Sequence, residues 1–361
     1  MDLRTKPDFD QCMERIYAWY EQRMLDRPPV RFHRHNTEFE QVDDNLDSWG
    51  SLRERWFDAD YQVDRFRREI AGMRFNAETF PIYWPNLGPD VYAAFLGVPL
   101  EYGETTSWSH PIVTDLRDLS KVQFDPQNEY FQGILNLTET ALRHAGGEFI
   151  VGYTDLHPGV DCAAALRGST NLCMDFYDDP EGIPPLLDAA VRDFDWIFNR
   201  FHELLKEHGQ PSVSWMHVPS FETMHIPSAD FSSLISSDLF NEYCLPIHRR
   251  ETALATHNVY HVDGPDVARH LDSILEMDDV NAIQWVQGVG DDYPIMQWID
   301  LIRRVQDAGT SVIVDLHKDD LAEFMKVMDP RGLFLWIATE SEEEEHEIIR
   351  SLGQWARSSS S

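Results

Sequence analysis

The stretch Val259-Tyr260-His261-Val262-Asp263-Gly264-Pro265, with Ala282-Ile283-Gln284-Trp285-Val286 a short way downstream, decides the fold. Two apolar runs, Val259–Val262 and Ala282–Val286, flank an amphipathic segment from Pro265 to Glu276, the βαβ pattern of a parallel sheet. The alternation continues outward in both directions. Toward the C-terminus Ser311–Leu316 and Leu333–Ile337 read as strands, and Ser341–Trp355 as a helix whose serine and following glutamates suit a capped N-terminus. Toward the N-terminus Phe149–Tyr153 and Val213–His217 read as strands around a helix spanning Pro185–Glu207. In that helix Leu187, Val191, Phe194, Ile197, Phe201 and Leu204 recur at steps of three and four. Pro29–Phe32 and Thr79–Trp84 complete eight βα units, which predicts an α/β fold, a (β/α)8 TIM barrel with an irregular helical N-terminal region. An open doubly wound sheet is the alternative, but no G-x-G-x-x-G follows an early strand. A single domain over 1–361 is expected, with 1–28 as a helical extension and 358–361 as a frayed tail.

The charge balance narrows the partners. With 63 Asp+Glu against 30 Lys+Arg the net charge is −33, so nucleic acid and anionic membrane surfaces are repelled over most of the exterior. The opening segment Met1–Asp8 has no apolar stretch of signal-peptide length, and no run of about 18 apolar residues occurs, so a cytoplasmic location is expected. Cys12, Cys162, Cys173 and Cys244 form no C-x-x-C pair and read as buried thiols.

In such barrels chemistry sits at the C-terminal ends of the strands. Trp84, Trp215, Trp285 and Trp336 fall at or near four of those ends, with Trp108 in the connection after the second strand. They read as a mouth lined for a ligand, or as core and rim packing. After the third strand come Asp155, His157, Asp161 and Arg167. After the fourth, His217 leads into a long loop with His225 and Asp230. Alternation puts His261 and Asp263 on one side of the fifth strand, a pair suited to a divalent metal, to a His–Asp acid–base pair or to plain hydrogen bonding. Gln284 follows on the sixth strand, and Glu340 beyond the last strand faces the same mouth or complements a helix dipole.

Several of these segments resemble a known family. Asp230-Phe231-Ser232-Ser233-Leu234-Ile235-Ser236, Phe240-Asn241-Glu242-Tyr243-Cys244-Leu245-Pro246, Tyr260-His261-Val262-Asp263-Gly264 and Ala282-Ile283-Gln284-Trp285 are similar to the uroporphyrinogen decarboxylase superfamily. Leu87-Gly88-Pro89 and Phe95-Leu96-Gly97 extend the likeness into the first third. That superfamily has the (β/α)8 barrel and includes methyltransferases that act on methylated corrinoid proteins. Its decarboxylases carry an arginine-rich segment after the first strand, matched in part by Arg31-Phe32-His33-Arg34. They also carry an aspartate after the second strand, where this chain reads Phe80-Pro81-Ile82-Tyr83-Trp84-Pro85-Asn86 with no acid.

The methyltransferases hold zinc with a His-x-Cys pair after the fifth strand and a cysteine from the last. The resemblance therefore implies a metal on His261, Asp263 and Glu340, with carboxylates in place of both cysteines. Zinc is the metal implied, with manganese or iron admitted by the oxygen ligands, and methylcobalamin on a partner protein is the implied methyl carrier. Harder ligands suit an oxygen-bearing substrate better than a thiol. The leading expectation is a metal-assisted methyltransferase-like enzyme for a small polar substrate or a methylated corrinoid partner. In it His217, His225 and Asp155 move protons or orient groups, while Trp84, Trp108, His157, Asp161, Arg167, Trp215, Asp230, Gln284, Trp285 and Trp336 bind substrate. The alternatives are a metal-free decarboxylase or lyase that grips a carboxylated substrate with Arg31, Arg34 and Arg167, and a non-catalytic binding module.

Overall fold

The computed structural model describes residues 1, 3–34 and 48–359. Its centre is a six-stranded parallel sheet in the order β1 (Val30–His33), β10 (Leu333–Ala338), β9 (Ser311–Asp315), β8 (Ala282–Val286), β7 (His257–Asp263) and β6 (Met224–His225). The sheet curls into a half-barrel. Its strands are buried on both faces, which is why Val312-Ile313-Val314 and Leu333-Phe334-Leu335 are unbroken apolar runs. A second parallel pair, β2 (Ile82–Tyr83) with β5 (Ile150–Val151), stands apart from it, and β3 (Leu100–Tyr102) with β4 (Ser107–Ser109) forms an antiparallel hairpin.

Isolated hydrogen bonds tie the pair to the two edges of the half-barrel. At one seam Glu78 N donates to Val30 O at 3.0 Å, while the Glu78 carboxylate and the Thr79 hydroxyl accept from Val30 N and Phe32 N. Side chains there do the work of a ladder. At the other seam Tyr153 N donates to Val213 O at 2.9 Å, and the approach is so close that a Cβ on Gly152 would meet that oxygen at 2.6 Å.

The expected strand Val213–His217 is not one. Ser212 pairs with Ser220 as an isolated antiparallel bridge, His217 sits at φ +59°, and the chain reverses before β6 takes the place beside β7. Ser212 Oγ accepts from Met224 N, so the reversal is pinned at its base.

The helices follow the apolar periodicity but break where a side chain is claimed elsewhere. Pro185–Glu207 divides into Ile183–Val191 and Phe194–Glu207, because Asp193 (φ −97°, ψ 2°) leaves the helical region. Pro265–Glu276 divides into Gly264–Ala268 and Leu271–Leu275, with His270 between them stacked on Phe240 and bonded to Ser232 O. The last helix, Glu342–Ser359, starts beneath the Ser341 cap, whose hydroxyl accepts from Glu344 N. Ser358 and Ser359 belong to this helix and bond Trp355 O rather than fraying; 360–361 lie outside the described residues. Within 1–28 the helix Phe9–Tyr20 buries Phe9, Cys12, Met13, Ile16 and Trp19, and Trp19 Nε1 donates to Gly332 O at the start of β10. Cys12, Cys162 and Cys244 are buried thiols and Cys173 is half-buried. Among the described residues no helix is long and apolar enough to cross a membrane.

Candidate functional site

Strand register builds the centre of the site. In the parallel pairing of β7 with β8, His261 lies opposite Gln284, and His261 Nδ1 is 2.6 Å from Gln284 Oε1. An amide oxygen only accepts, so Nδ1 carries the proton and, in the neutral imidazole, Nε2 presents its lone pair. That lone pair faces Asp230, whose Oδ1 is 3.8 Å away. Asp263, two residues along β7, completes a group in which one ligand atom from each of Asp230, His261 and Asp263 lies within 4.8 Å of the others. Ligands around one ion with bonds of about 2.1 Å sit roughly 3.4 Å apart, so a small inward rotation of the exposed carboxylates closes the set.

Long-range hydrogen bonds deliver Asp230 to this place. Its backbone N–H and that of Phe231 donate to the two carboxylate oxygens of Asp161 at 3.1 and 2.9 Å. His261 N donates to Pro227 O, and Ser228 Oγ donates to Asp230 Oδ1 at 3.0 Å. Burial, and then the charge of Asp230, push Asp161 up to about 7 against the pull of those two N–H groups. Trp215 stands edge-on to His261 at 5.1 Å and shields one side of the imidazole. His157 lines the same region. Burial brings it down to about 4, with Asp230 opposing, and its Nδ1 has no hydrogen-bond partner among the described residues.

Other expected residues gather elsewhere. Glu340 is exposed and faces Lys318 at 3.4 Å, outside the Asp230–His261–Asp263 group; the chain has already turned toward the last helix there. Trp336 stacks under Arg31, whose guanidinium lies 4.7 Å from the ring and donates to Met216 O. The same guanidinium lies 3.3 Å from Nδ1 of His217, whose imidazole burial pushes well below its ordinary range. His217 and Trp84 border a separate cavity of about 440 Å³. Trp285 is fully buried against Trp298, so it is core, and Trp108 projects from the hairpin at 55% exposure.

Arg167 is committed to Asp175 and to Val113 O and Thr114 O, which makes it a structural tie. His225, read from sequence as a loop residue, is on β6 and buried, with Nε2 3.0 Å from Glu251. Glu251 also faces His248, which meets the Tyr260 hydroxyl at 3.0 Å. Burial raises the Glu251 carboxyl, but hydrogen bonds from the two imidazoles outweigh this and hold it below its ordinary value. Glu251 and His248 were not singled out; their i, i+3 spacing on one helix was the available signal.

Asp155 is buried beyond β5 with no partner for Oδ1 among the described residues, and burial raises its carboxyl well above the ordinary 3.8. At this carboxyl the folded chain therefore holds a proton that the unfolded chain releases, and the contribution of Asp155 to stability declines as pH rises above 3.8. Asp155→Asn removes that loss. Its melting temperature is expected to exceed the wild type's by more at about pH 8 than at about pH 4; a gain that does not grow with pH contradicts the assignment.

Comparison with known proteins places the fold. No family model and no curated protein matches the sequence. Among solved structures, a methyltransferase from Methanosarcina mazei superposes with a TM-score of 0.60 at 12% identity, over 95% of this chain and 98% of that one. The two chains share a fold over nearly their whole length.

Proposed function

We propose that this chain is a metal-assisted, methyltransferase-like enzyme of barrel architecture whose divalent ion is held by Asp230, His261 and Asp263. The observation that carries the reading is the convergence of one imidazole nitrogen and two carboxylates, with the imidazole fixed in the correct tautomer by Gln284. The shared fold with a methyltransferase, and the sequence resemblance to corrinoid-protein methyltransferases, support the reaction class. The donor set of one nitrogen and two oxygens suits zinc, manganese or iron. Such an ion supplies Lewis acidity toward a polar substrate group, while Trp215 and Gln284 keep the ligand imidazole in place. A methylated corrinoid protein remains the proposed partner by resemblance. Asp230 replaces Glu340 in the proposed ligand set.

Metal analysis of the purified chain tests this. About one divalent ion per chain is expected after dialysis against the metal, falling to background in the Asp230→Ala, Asp263→Ala double variant. Equal metal content in both proteins sinks the proposal.

A second reading, a decarboxylase gripping a carboxylated substrate, is favoured by one observation: Arg31 faces a neutral imidazole rather than a carboxylate. Burial brings Arg31 down to about 10, opposed by the charge of Asp315. Arg34 and Arg167 lie beside carboxylates of their own, so Arg31 alone would serve.

A further inference from the structure

The cavity of about 440 Å³ bordered by His217 and Trp84 lies between the helices Leu52–Phe57 and Ala59–Ile70 and the end of β2, and it shares no lining residue with the Asp230–His261–Asp263 group. We propose that this cavity binds a flat, ring-bearing small molecule through an acceptor oxygen, a carbonyl or carboxylate, that takes hydrogen bonds from His217 and Tyr83. The inference goes beyond the metal reading and does not depend on it.

His217 is held as a donor. A guanidinium only donates, so the 3.3 Å contact between Arg31 and Nδ1 makes that nitrogen the acceptor and leaves the proton of the neutral imidazole on Nε2. Nε2 has no hydrogen-bond partner among the described residues and is not sealed off from the cavity that His217 lines. Burial, and then the charge of Arg31, keep the imidazole neutral, in the form with one N–H to offer. The backbone is constrained at the same place. His217 sits at φ +59°, a left-handed conformation uncommon outside glycine, in a turn closed by its own N–H bonding Ser214 O at 2.9 Å.

A second donor is independent of the first. Tyr83 is 6% exposed and lines the cavity, and its hydroxyl bonds no described residue. Trp84 Nε1 in the same wall is sealed, whereas the Tyr83 hydroxyl is not. Phe66 at 5.5 Å and Phe149 at 6.4 Å clamp the ring, and burial raises the phenol above its ordinary 10, so the hydroxyl stays protonated. A polar group fixed in this way is satisfied by what fills the cavity.

A polyol is the competing occupant, and the rest of the lining decides against it. Asn86 spends Oδ1 on Gly88 N, which leaves Nδ2 without a partner among the described residues. Arg55 bonds the Glu104 carbonyl but no described carboxylate. Glu69 and Glu104, the acids of the lining, are exposed at its rim. Apart from Gln62 Oε1, the uncommitted groups of the inner wall are therefore donors, whereas a polyol brings as many donors as acceptors. Trp56, Phe66, Tyr83 and Trp84 add aromatic surface against which a flat ring packs.

The test is calorimetric titration of the full chain, with a chelator present so that no ion on the Asp230 group contributes. The probes are 2-naphthoate and 2-naphthamide, which carry a carboxylate or a carbonyl on a flat fused ring. Cyclohexanecarboxylate keeps the acceptor without the flat ring, 2-naphthylmethylamine keeps the ring without an acceptor, and glucose stands for a polyol. At least one probe is expected to bind roughly tenfold or more tighter than all three controls, although the net charge of −33 favours the cationic amine. Tyr83→Phe is expected to weaken that binding about fivefold or more and to melt with the wild type, since the hydroxyl it removes bonds no described residue. His217→Asn, which suits the left-handed backbone, should weaken it by about the same factor. A loss in either variant locates the probe in this cavity, and the tighter probe tells carboxylate from carbonyl. Controls that bind as well as the probes, glucose that binds better, or a preference that survives both substitutions overturns the proposal. Metal content is read separately, so the failure of one reading leaves the other standing.

Discussion

Glu78→Ala is expected to destabilise the chain by about 3–5 kcal/mol, the scale for stripping one partner from a buried ion network. Glu78 is fully buried at the seam between β1 and β2. Its Oε2 accepts from Arg27 Nη1 at 2.7 Å and Val30 N at 2.8 Å; its Oε1 accepts from Arg27 Nη2 at 3.0 Å and Arg15 Nη1 at 3.3 Å. Removal leaves Arg27 buried without a carboxylate in the described contacts, whereas Arg15 retains Asp26 at 2.6 and 2.7 Å. It also orphans the Val30 N–H that the missing ladder would otherwise have used. Urea unfolding followed by circular dichroism measures the loss. A change below about 1 kcal/mol would show that water or neighbouring groups compensate, and that the carboxylate is not what closes this seam.

The same residue shows why part of the fold was hidden from the sequence. Strands β7 to β10 are flanked on both faces, so their apolar runs coincide with the observed strands to within two residues: Ala282–Val286 is matched outright and Ser311–Leu316 ends one residue late. Around β2 and β5 only two residues each form ladder bonds, and the joints are made by Glu78, Thr79 and Gly152. Such contacts leave no periodic trace. Val213–His217 misled for the opposite reason: its apolar residues Val213, Trp215 and Met216 are real, but they serve a tight reversal.

The site divides in the same way. His261 and Asp263 were readable because a strand alternates its faces; Gln284 stood in the sequence only as part of a segment that resembles the family, and its place opposite His261 comes from the register of the two strands. Asp230 as their companion was not, since its position depends on Asp161, 69 residues earlier, and on a backbone bond from His261 to Pro227. Glu340 was expected from its place after the last strand, but position along the chain does not set side-chain direction once the turn begins. His225 was expected in a loop because the stretch after Pro219 is long and shows no regular apolar pattern, yet Phe194 and Phe198 pack on its ring and carry it into the core.

His261→Ala should have the largest effect of any single change in the site, lowering affinity for a divalent ion by ~100-fold or more, because it removes the one neutral nitrogen donor and leaves two carboxylates that solvent competes for. Gln284 makes the experiment more discriminating. If the imidazole is a ligand, its orientation matters, and Gln284→Leu, which keeps the volume but drops the acceptor for Nδ1–H, should cost ~10–100-fold in metal affinity. Gln284→Glu keeps an acceptor at that place and makes the imidazole more basic, so its affinity should stay at or above the wild type's. Competition against a chromogenic chelator ranks the variants without any assay of turnover. The order His261→Ala weakest, Gln284→Leu intermediate and Gln284→Glu near wild type is the signature of a metal-bound, oriented histidine. If Gln284→Leu matches the wild type, the 2.6 Å bond between His261 and Gln284 serves strand pairing alone, and the case for His261 as a ligand loses its geometric support.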